Sequence, residues 1–382
     1  MQTTSRLHEL DSLRALAAIG VIGWHYTNHF GASPLPHLMA PFYRHGLLLV
    51  HFFFVLSGFV LARAYWKPDA PIPFGRSVWQ RVARLYPLHL ATLIGVAAMQ
   101  WYLVSRQGVE PFIYTHNDTK HFLLNLALLN STGLEKGFSF NATSWSISTE
   151  MIVNVIFFAV ILLPRRAASA VMLAMLCLAA VIVVLQNQAT ECKAALCYVN
   201  MGVYITIVGF FVGVGAYRFY VRHFEEKPLP PAEADLGAVL LIATAIGYFC
   251  GQKYSVYSDL AMTLFVFPAI ILATLQSRIV KRALNVRALV YLGTISYSIY
   301  LVHFPLQLLM RVVEVRFAVA IPYDRWYILL GFIAGTIAVA ALTYRFIERP
   351  GKTMLASFWP ASTRTAVSGG SSGPSNRVHR EV

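Results

Sequence analysis

Arg14 and His25 mark the stretch DSLRALAAIGVIGWH, residues 11–25, because an otherwise apolar helix carries a cation near one end and an imidazole near the other. Eleven residues at 100° each turn through 1100°, which leaves about 20° after three full turns, and they rise roughly 16 Å. The two side chains therefore share one face at two depths. A neutral imidazole can take a proton from a hydroxyl near operating pH, so His25 is a candidate general base. Arg14 either snorkels to lipid phosphates or holds an anion. The plain alternative for His25 is a hydrogen-bonded packing histidine. His29, one turn above, would make a metal pair conceivable, but no third ligand is obvious and no metal is expected.

Three further groups have types and spacings that suit chemistry. In SVWQRVARLYP, residues 77–87, Arg81 and Arg84 stand at i and i+3 and could grip a phosphorylated ligand, although a positive-inside bias would also put them there. In TSWSISTEMIVN, residues 143–154, Ser146, Glu150 and Asn154 recur every four residues and draw a polar stripe with a carboxylate inside the apolar boundary. Glu150 could orient a histidine, bind a hydroxylated substrate or pair with an arginine. In GTISYSIYLVHFP, residues 293–305, Ser296, Tyr300 and His303 form one helical seam, suited to catalysis or to interhelical glue. Ser57 and Gly58 in HFFFVLSGFVLAR fit close helix packing more readily than chemistry.

The elements that must hold these groups follow from composition. A chain of 382 residues that is 57% hydrophobic and 13% charged, with mean hydropathy +0.58, cannot hide its apolar residues in one soluble core. It reads as an all-α integral membrane protein, a bundle of about ten spans near 12–30, 46–65, 86–104, 145–163, 169–186, 201–219, 236–251, 258–275, 289–310 and 326–345. Lys and Arg concentrate in alternate connections, which predicts that both termini are cytoplasmic. That placement accounts for the formal net charge of +14 and makes nucleic acid an unexpected partner, with membrane lipid the expected one. The first segment lacks a small-residue cleavage signal and reads as a retained helix.

Cys177 and Cys250 lie in apolar segments and read as packing residues, while Cys192 and Cys197 in ECKAALC could bridge or stay free. The connection at 105–144 would be a solvated loop or a cover over a site. Residues 1–350 read as the membrane domain, and 351–382, ending in SGGSSGPSNRVHREV, as a disordered cytoplasmic tail.

With these motifs in place the chain resembles the membrane acyltransferase 3 family, which includes bacterial O-antigen, exopolysaccharide and nodulation-factor O-acetylases. LDSLRALAAIGVIGWH, FFVLSGFVL, RVARLYP, SWSISTE, GTISYSIYLVH and YRFIERP occur in family order over residues 8 to 350. The resemblance implies a bacterial inner-membrane enzyme that moves an acyl group, usually acetyl from acetyl-CoA, onto a carbohydrate hydroxyl, as on an exported polysaccharide or its lipid-linked precursor. Arg14 and His25 match the family's essential arginine and histidine, Arg81 and Arg84 its cytoplasmic Arg-x-x-Arg, Glu150 the acid after its Trp-Ser motif, and Tyr300 and His303 its late helix. Some relatives carry an acid just after the first-helix histidine; His29 and Phe30 supply none, which shifts the expected orienting carboxylate to Glu150.

On this reading Arg14, Arg81 and Arg84 bind the acyl-CoA phosphates and Ser57 lies along the donor. His25 acts as base, with Glu150 or Tyr300 positioning it and a serine or tyrosine hydroxyl supporting the developing oxyanion, and His303 is expected among the catalytic residues. The alternatives are a lipid or small-molecule acceptor and, from another class, a proton-coupled transporter, whose repeated halves this chain does not display.

Overall fold

In the computed structural model residues 6–66, 73–106, 109–188, 199–251 and 255–359 are described. The pair Cys192 and Cys197 and the Gly- and Ser-rich end of the tail lie outside the described residues. All regular structure among those described is helical. The order is α1 (His8–Phe30), α2 (Pro36–His45), α3 (Leu48–Tyr65), α4 (Phe74–Val104), α5 (Thr119–Leu126), α6 (Trp145–Val160), α7 (Arg165–Gln188), α8 (Met201–His223) and α9 (Pro231–Cys250). Then α10 (Val256–Ala261) passes through a π-helical turn at Met262–Val266 into α11 (Phe267–Gln276). After α12 (Arg278–Leu284), α13 (Arg287–Thr294) and α14 (Ser296–Phe317), α15 (Trp326–Thr343) runs through a second π-helical turn, Tyr344–Glu348, into α16 (Arg349–Ser357). The final helix thus extends beyond the boundary drawn at residue 350.

Nine helices among the described residues are long and apolar enough to cross a membrane. They correspond to nine of the ten expected segments. The remaining one, α1, is helical throughout but is not among the nine. Arg14, His25, Asn28 and His29 dilute its apolar run; Arg14, His25 and His29 face the bundle, whereas Asn28 is exposed.

Two boundaries differ from expectation. The span placed at 86–104 begins at Phe74, so Arg81 and Arg84 belong to the long helix α4 itself, which runs through Pro87 without stopping. The span placed at 289–310 is broken after Thr294. Here α13 lies against α1 so closely that a Cβ on Gly293 would stand 1.9 Å from the Asp11 carbonyl oxygen.

Backbone-to-backbone contact also joins α3 and α8. A Cβ on Gly58 would stand 1.8 Å from the Phe210 carbonyl oxygen, and one on Gly213 would stand 2.0 Å from that of Val55. Lipid offers no hydrophobic drive between helices, so small residues that let backbones meet are what hold such a pair. Gly58→Ala is expected to cost about 1–3 kcal/mol through overpacking. Thermal melting of the purified protein reads this; an unchanged midpoint would show that α3 and α8 part freely.

Cys177 and Cys250 are exposed, contrary to the packing role expected of them. Their helices, α7 and α9, lie at the edge of the bundle, with 28% and 22% of their apolar windows buried, and turn these side chains outward.

The connection after α4 is a built cover. Gln100 and Phe112 exchange two hydrogen bonds, Nε2 to the Phe112 carbonyl at 3.0 Å and the Phe112 amide to Oε1 at 3.2 Å. Asp118 caps α5, accepting from the His121 amide at 2.9 Å and from its ring Nδ1 at 2.8 Å, while His121 Nε2 accepts from the Lys136 amide. The His121 amide, then its ring, holds the exposed Asp118 carboxyl below the ordinary aspartate range. A lowered folded value means that the cap contributes fully above the ordinary value of about 3.9 and is lost as pH falls below it. Protection of the His121 and Phe122 amides, taken relative to their intrinsic exchange rates, should therefore fall only in acid, and Asp118→Asn should remove that pH dependence of protection.

Candidate active site

Two cavities meet inside the bundle. The inner one, about 100 Å3, lies among α1, α3, α4, α6 and α14 and is lined by Arg14, Ser57, Arg81, Arg84, Glu150 and Tyr300, with apolar walls from Val50, Phe53 and Phe54. The wider one, about 630 Å3, opens where α1 begins; Arg6, Arg14, Arg63, Arg84, Arg349 and Lys352 line it against two carboxylates, Asp11 and Glu348. Arg14, Val60 and Arg84 line both. The net positive charge of the wide cavity suits an anionic ligand.

α1 and α14 run side by side in the same direction and in register. Arg14 and Ser296 both face the inner cavity, the His25 and His303 ring centroids lie 4.7 Å apart one level further on, and His29 Nδ1 meets Gln307 Oε1 at 2.7 Å beyond them. The matched four-residue steps bring two pairs of polar groups face to face. His25 is 4% exposed, and His303 and Gln307 are fully buried.

The protonation pattern follows from partners that can only accept. His25 Nδ1 lies 3.0 Å from the Val21 carbonyl, so it donates there and leaves the Nε2 lone pair open. His303 Nδ1 likewise donates to the Tyr300 carbonyl at 2.5 Å, and its buried Nε2 has no partner among the described residues. Two adjacent imidazoles thus each present an unprotonated nitrogen.

Glu150 does not orient His25. Its Oε1 accepts from Ser57 Oγ at 2.5 Å and from Arg81 Nη2 at 2.9 Å, one helix layer nearer the wide cavity. The expected orienting carboxylate is replaced by the Val21 carbonyl, because a histidine inside a helix can bond to the turn four residues below it without help from another element. The same ion pair occupies Arg81, so of the Arg-x-x-Arg pair it is Arg84 that reaches both cavities without a hydrogen bond or ion pair among the described residues. Arg14 shares Asp11 with Arg6 at 3.4 Å and 2.7 Å.

Tyr300 stands between the inner cavity and the histidines. Its hydroxyl donates to the Thr143 carbonyl at 2.9 Å and meets Ser146 Oγ at 2.9 Å, and its ring lies 5.8 Å from that of His303. Ser57, expected to serve packing above chemistry, faces the cavity. Asn154 is buried with both amide atoms unpaired among the described residues and does not line the inner cavity, so the stripe reaches that cavity only as far as Glu150.

Sequence reasoning did not single out Gln307 or Tyr114. The Tyr114 hydroxyl lies 3.2 Å from His29 Nε2, so the cover after α4 reaches the helix that carries His25. Gln307 was visible only as a polar residue one turn beyond His303, whereas Tyr114 had no signal in a long connection.

Comparison with known proteins agrees with the order of the motifs. Residues 7–345 match the profile of the acyltransferase 3 family, an acyltransferase domain. The chain is 31% identical over 164 residues to "Protein 2 in picA locus" of Rhizobium radiobacter, covering 39% of this chain and 78% of that protein. It is 31% identical over 149 residues to the acyltransferase MdmB of Streptomyces mycarofaciens, covering 38% of this chain and 36% of that one. To the peptidoglycan O-acetyltransferase OatA of Listeria monocytogenes it is 23% identical over 370 residues, 89% of this chain, and it spans about half of that relative's length. No solved structure matches. With the profile covering nearly all of the described bundle, including both helices that bear the histidines, the chain belongs to the acyltransferase 3 family.

Proposed function

We propose that the protein is a multi-pass O-acyltransferase of the bacterial inner membrane, with ten spans counting α1 and both termini cytoplasmic, that moves an acyl group, acetyl first among candidates, from acyl-CoA to a carbohydrate hydroxyl. The observation that carries this reading is the pair of joined cavities, the inner one walled by Tyr300, with two histidines bearing open nitrogens behind that tyrosine. The nucleotide and phosphates of coenzyme A would lie in the wide cavity, where Arg14 and Arg84 meet them at its junction with the narrow one. The slender thioester end would enter past Ser57 toward Tyr300. The name of the Listeria relative, a peptidoglycan O-acetyltransferase, supports a carbohydrate acceptor.

The chemistry assigned to the site is direct transfer. The acceptor hydroxyl gives its proton to His25 Nε2 while its oxygen attacks the thioester carbon. The tetrahedral intermediate then collapses, the carbon–sulfur bond breaks, and the departing thiolate takes the proton from the imidazolium. The Val21 carbonyl holds the ring in the tautomer this requires and favours the imidazolium that forms.

Mass spectrometry of envelope polysaccharide and lipid from cells with and without the intact protein tests the reading. An acetyl mass appearing on a glycan only with the protein supports it, as does transfer of label from isotopically labelled acetyl-CoA by the purified protein in lipid nanodiscs. An added mass confined to lipid would replace the carbohydrate acceptor. Solute flux through vesicles in the absence of acyl-CoA would replace the enzyme by a transporter.

A further inference from the structure

Beyond His25 and His303 lies a spot that is polar, fully buried and incompletely paired. Gln307 gives its oxygen to His29 Nδ1–H at 2.7 Å, which fixes the His29 proton on Nδ1 and leaves Nε2 to accept from the Tyr114 hydroxyl at 3.2 Å. The chain Tyr114 to His29 to Gln307 therefore sets the amide with its N–H2 group turned away from His29. That Nε2 is buried and has no partner among the described residues. One helical turn back, His303 Nε2 is also buried without a partner, and it carries a lone pair. Gln307 and His303 share a face of α14 that meets His29 and His25 on α1.

A buried donor and a buried acceptor left unpaired within one turn of each other are costly, each by about 1–3 kcal/mol, unless something fills the place between them. A hydroxyl does so, since it donates one proton and accepts at two lone pairs.

We propose that the Gln307 side-chain amide, locked in orientation by His29 and Tyr114, is the group that holds the hydroxyl-bearing acceptor beside the histidine pair. The proposal rests on reading His25 as the general base. Gln307 N–H donates to an acceptor oxygen, and the reacting O–H is then aimed at an open histidine nitrogen. Phe112, Phe304 and Tyr114 pack around His29 and hold its ring in place. A site built on a hydrogen bond to a hydroxyl discriminates strongly against analogues lacking it. Gln307 is on this account a specificity determinant as well as a binding group.

The test uses glycerol as the hydroxyl probe and needs neither the natural donor nor the natural acceptor. Diethyl pyrocarbonate modifies open imidazole nitrogens, and mass spectrometry of the full-length protein in nanodiscs follows the rate at His25. Glycerol is expected to slow modification in the wild type. In Gln307→Met, which keeps length and removes the donor, the glycerol concentration for half-protection should rise about fivefold or more. Gln307→Asn, which keeps the amide and withdraws it by one methylene, should shift it in the same direction, and it serves if the methionine variant does not fold. Equal half-protection in wild type and either folded variant overturns the proposal, as does absence of protection in the wild type. An unimpaired His25→Ala transferase would overturn the general-base reading instead, and leaves the glycerol shift as a separate result.

Discussion

His25→Ala is expected to lower acyl transfer by about 10²–10⁴-fold while leaving the protein folded and in the membrane. The imidazole touches its surroundings chiefly through one bond to the Val21 carbonyl in its own helix and ring contacts with Trp24, His29 and His303. Its removal therefore breaks no hydrogen bond between elements and forfeits only the ring contact with His303 on α14. Label transfer from acetyl-CoA measures the first part, and the melting midpoint of the purified variant the second. Retained transfer would remove His25 from the chemistry. A large drop in melting temperature would make it the packing histidine that its position alone also permits. The comparison is sharpened by His303→Ala. His303 Nε2 has no partner to lose, so a fall in transfer there without a fall in stability would assign the second open nitrogen to the reaction.

The second large effect is expected at the ion pair. Glu150→Ala should destabilise the protein by about 3–5 kcal/mol, because it leaves the Arg81 guanidinium, whose side chain is 12% exposed, without its counter-charge. The double variant Arg81→Met, Glu150→Leu should recover most of that loss, since a buried pair replaced by apolar groups of similar volume is commonly close to neutral. Both forms should transfer poorly, as each removes the polar wall of the inner cavity where the donor would pass. Melting midpoints of Arg81→Met, Glu150→Leu and their double variant form the cycle that isolates the coupling. If Glu150 acted by orienting His25, Glu150→Ala would keep its midpoint and shift the pH profile of transfer, and the double variant would not regain stability.

Much of this architecture is legible along the chain. Spans of about 20 apolar residues need no tertiary information, because lipid obliges each backbone group to bond within its own helix. Nine of the ten expected segments meet that criterion as separate helices, and the tenth is helical with His25 buried inside the bundle. The face shared by Arg14 and His25 also follows from helical geometry alone: Arg14 lines both cavities at the end where α1 begins, and His25 lies further along. The seam Ser296, Tyr300, His303 survives for the same reason, although its helix starts later than expected, at Ser296.

What the chain could not disclose was pairing between helices. Glu150, Arg81 and Ser57 come from α6, α4 and α3, and no periodicity within one helix says which of several polar groups a carboxylate will meet. The same holds for Tyr114, brought to His29 by a connection whose course depends on bonds such as Gln100 to Phe112 and Asp118 to His121. Which residues are costly in a membrane, and on which face of its own helix each one stands, can be read along the chain, since both depend only on local geometry and on transfer from water. Only the tertiary structure decided that His25 leans on its own backbone, that Glu150 belongs to Arg81, and that Gln307 is left with an open amide beside two open imidazoles. Those outcomes depend on the register and separation of helices far apart in the chain, which packing alone sets.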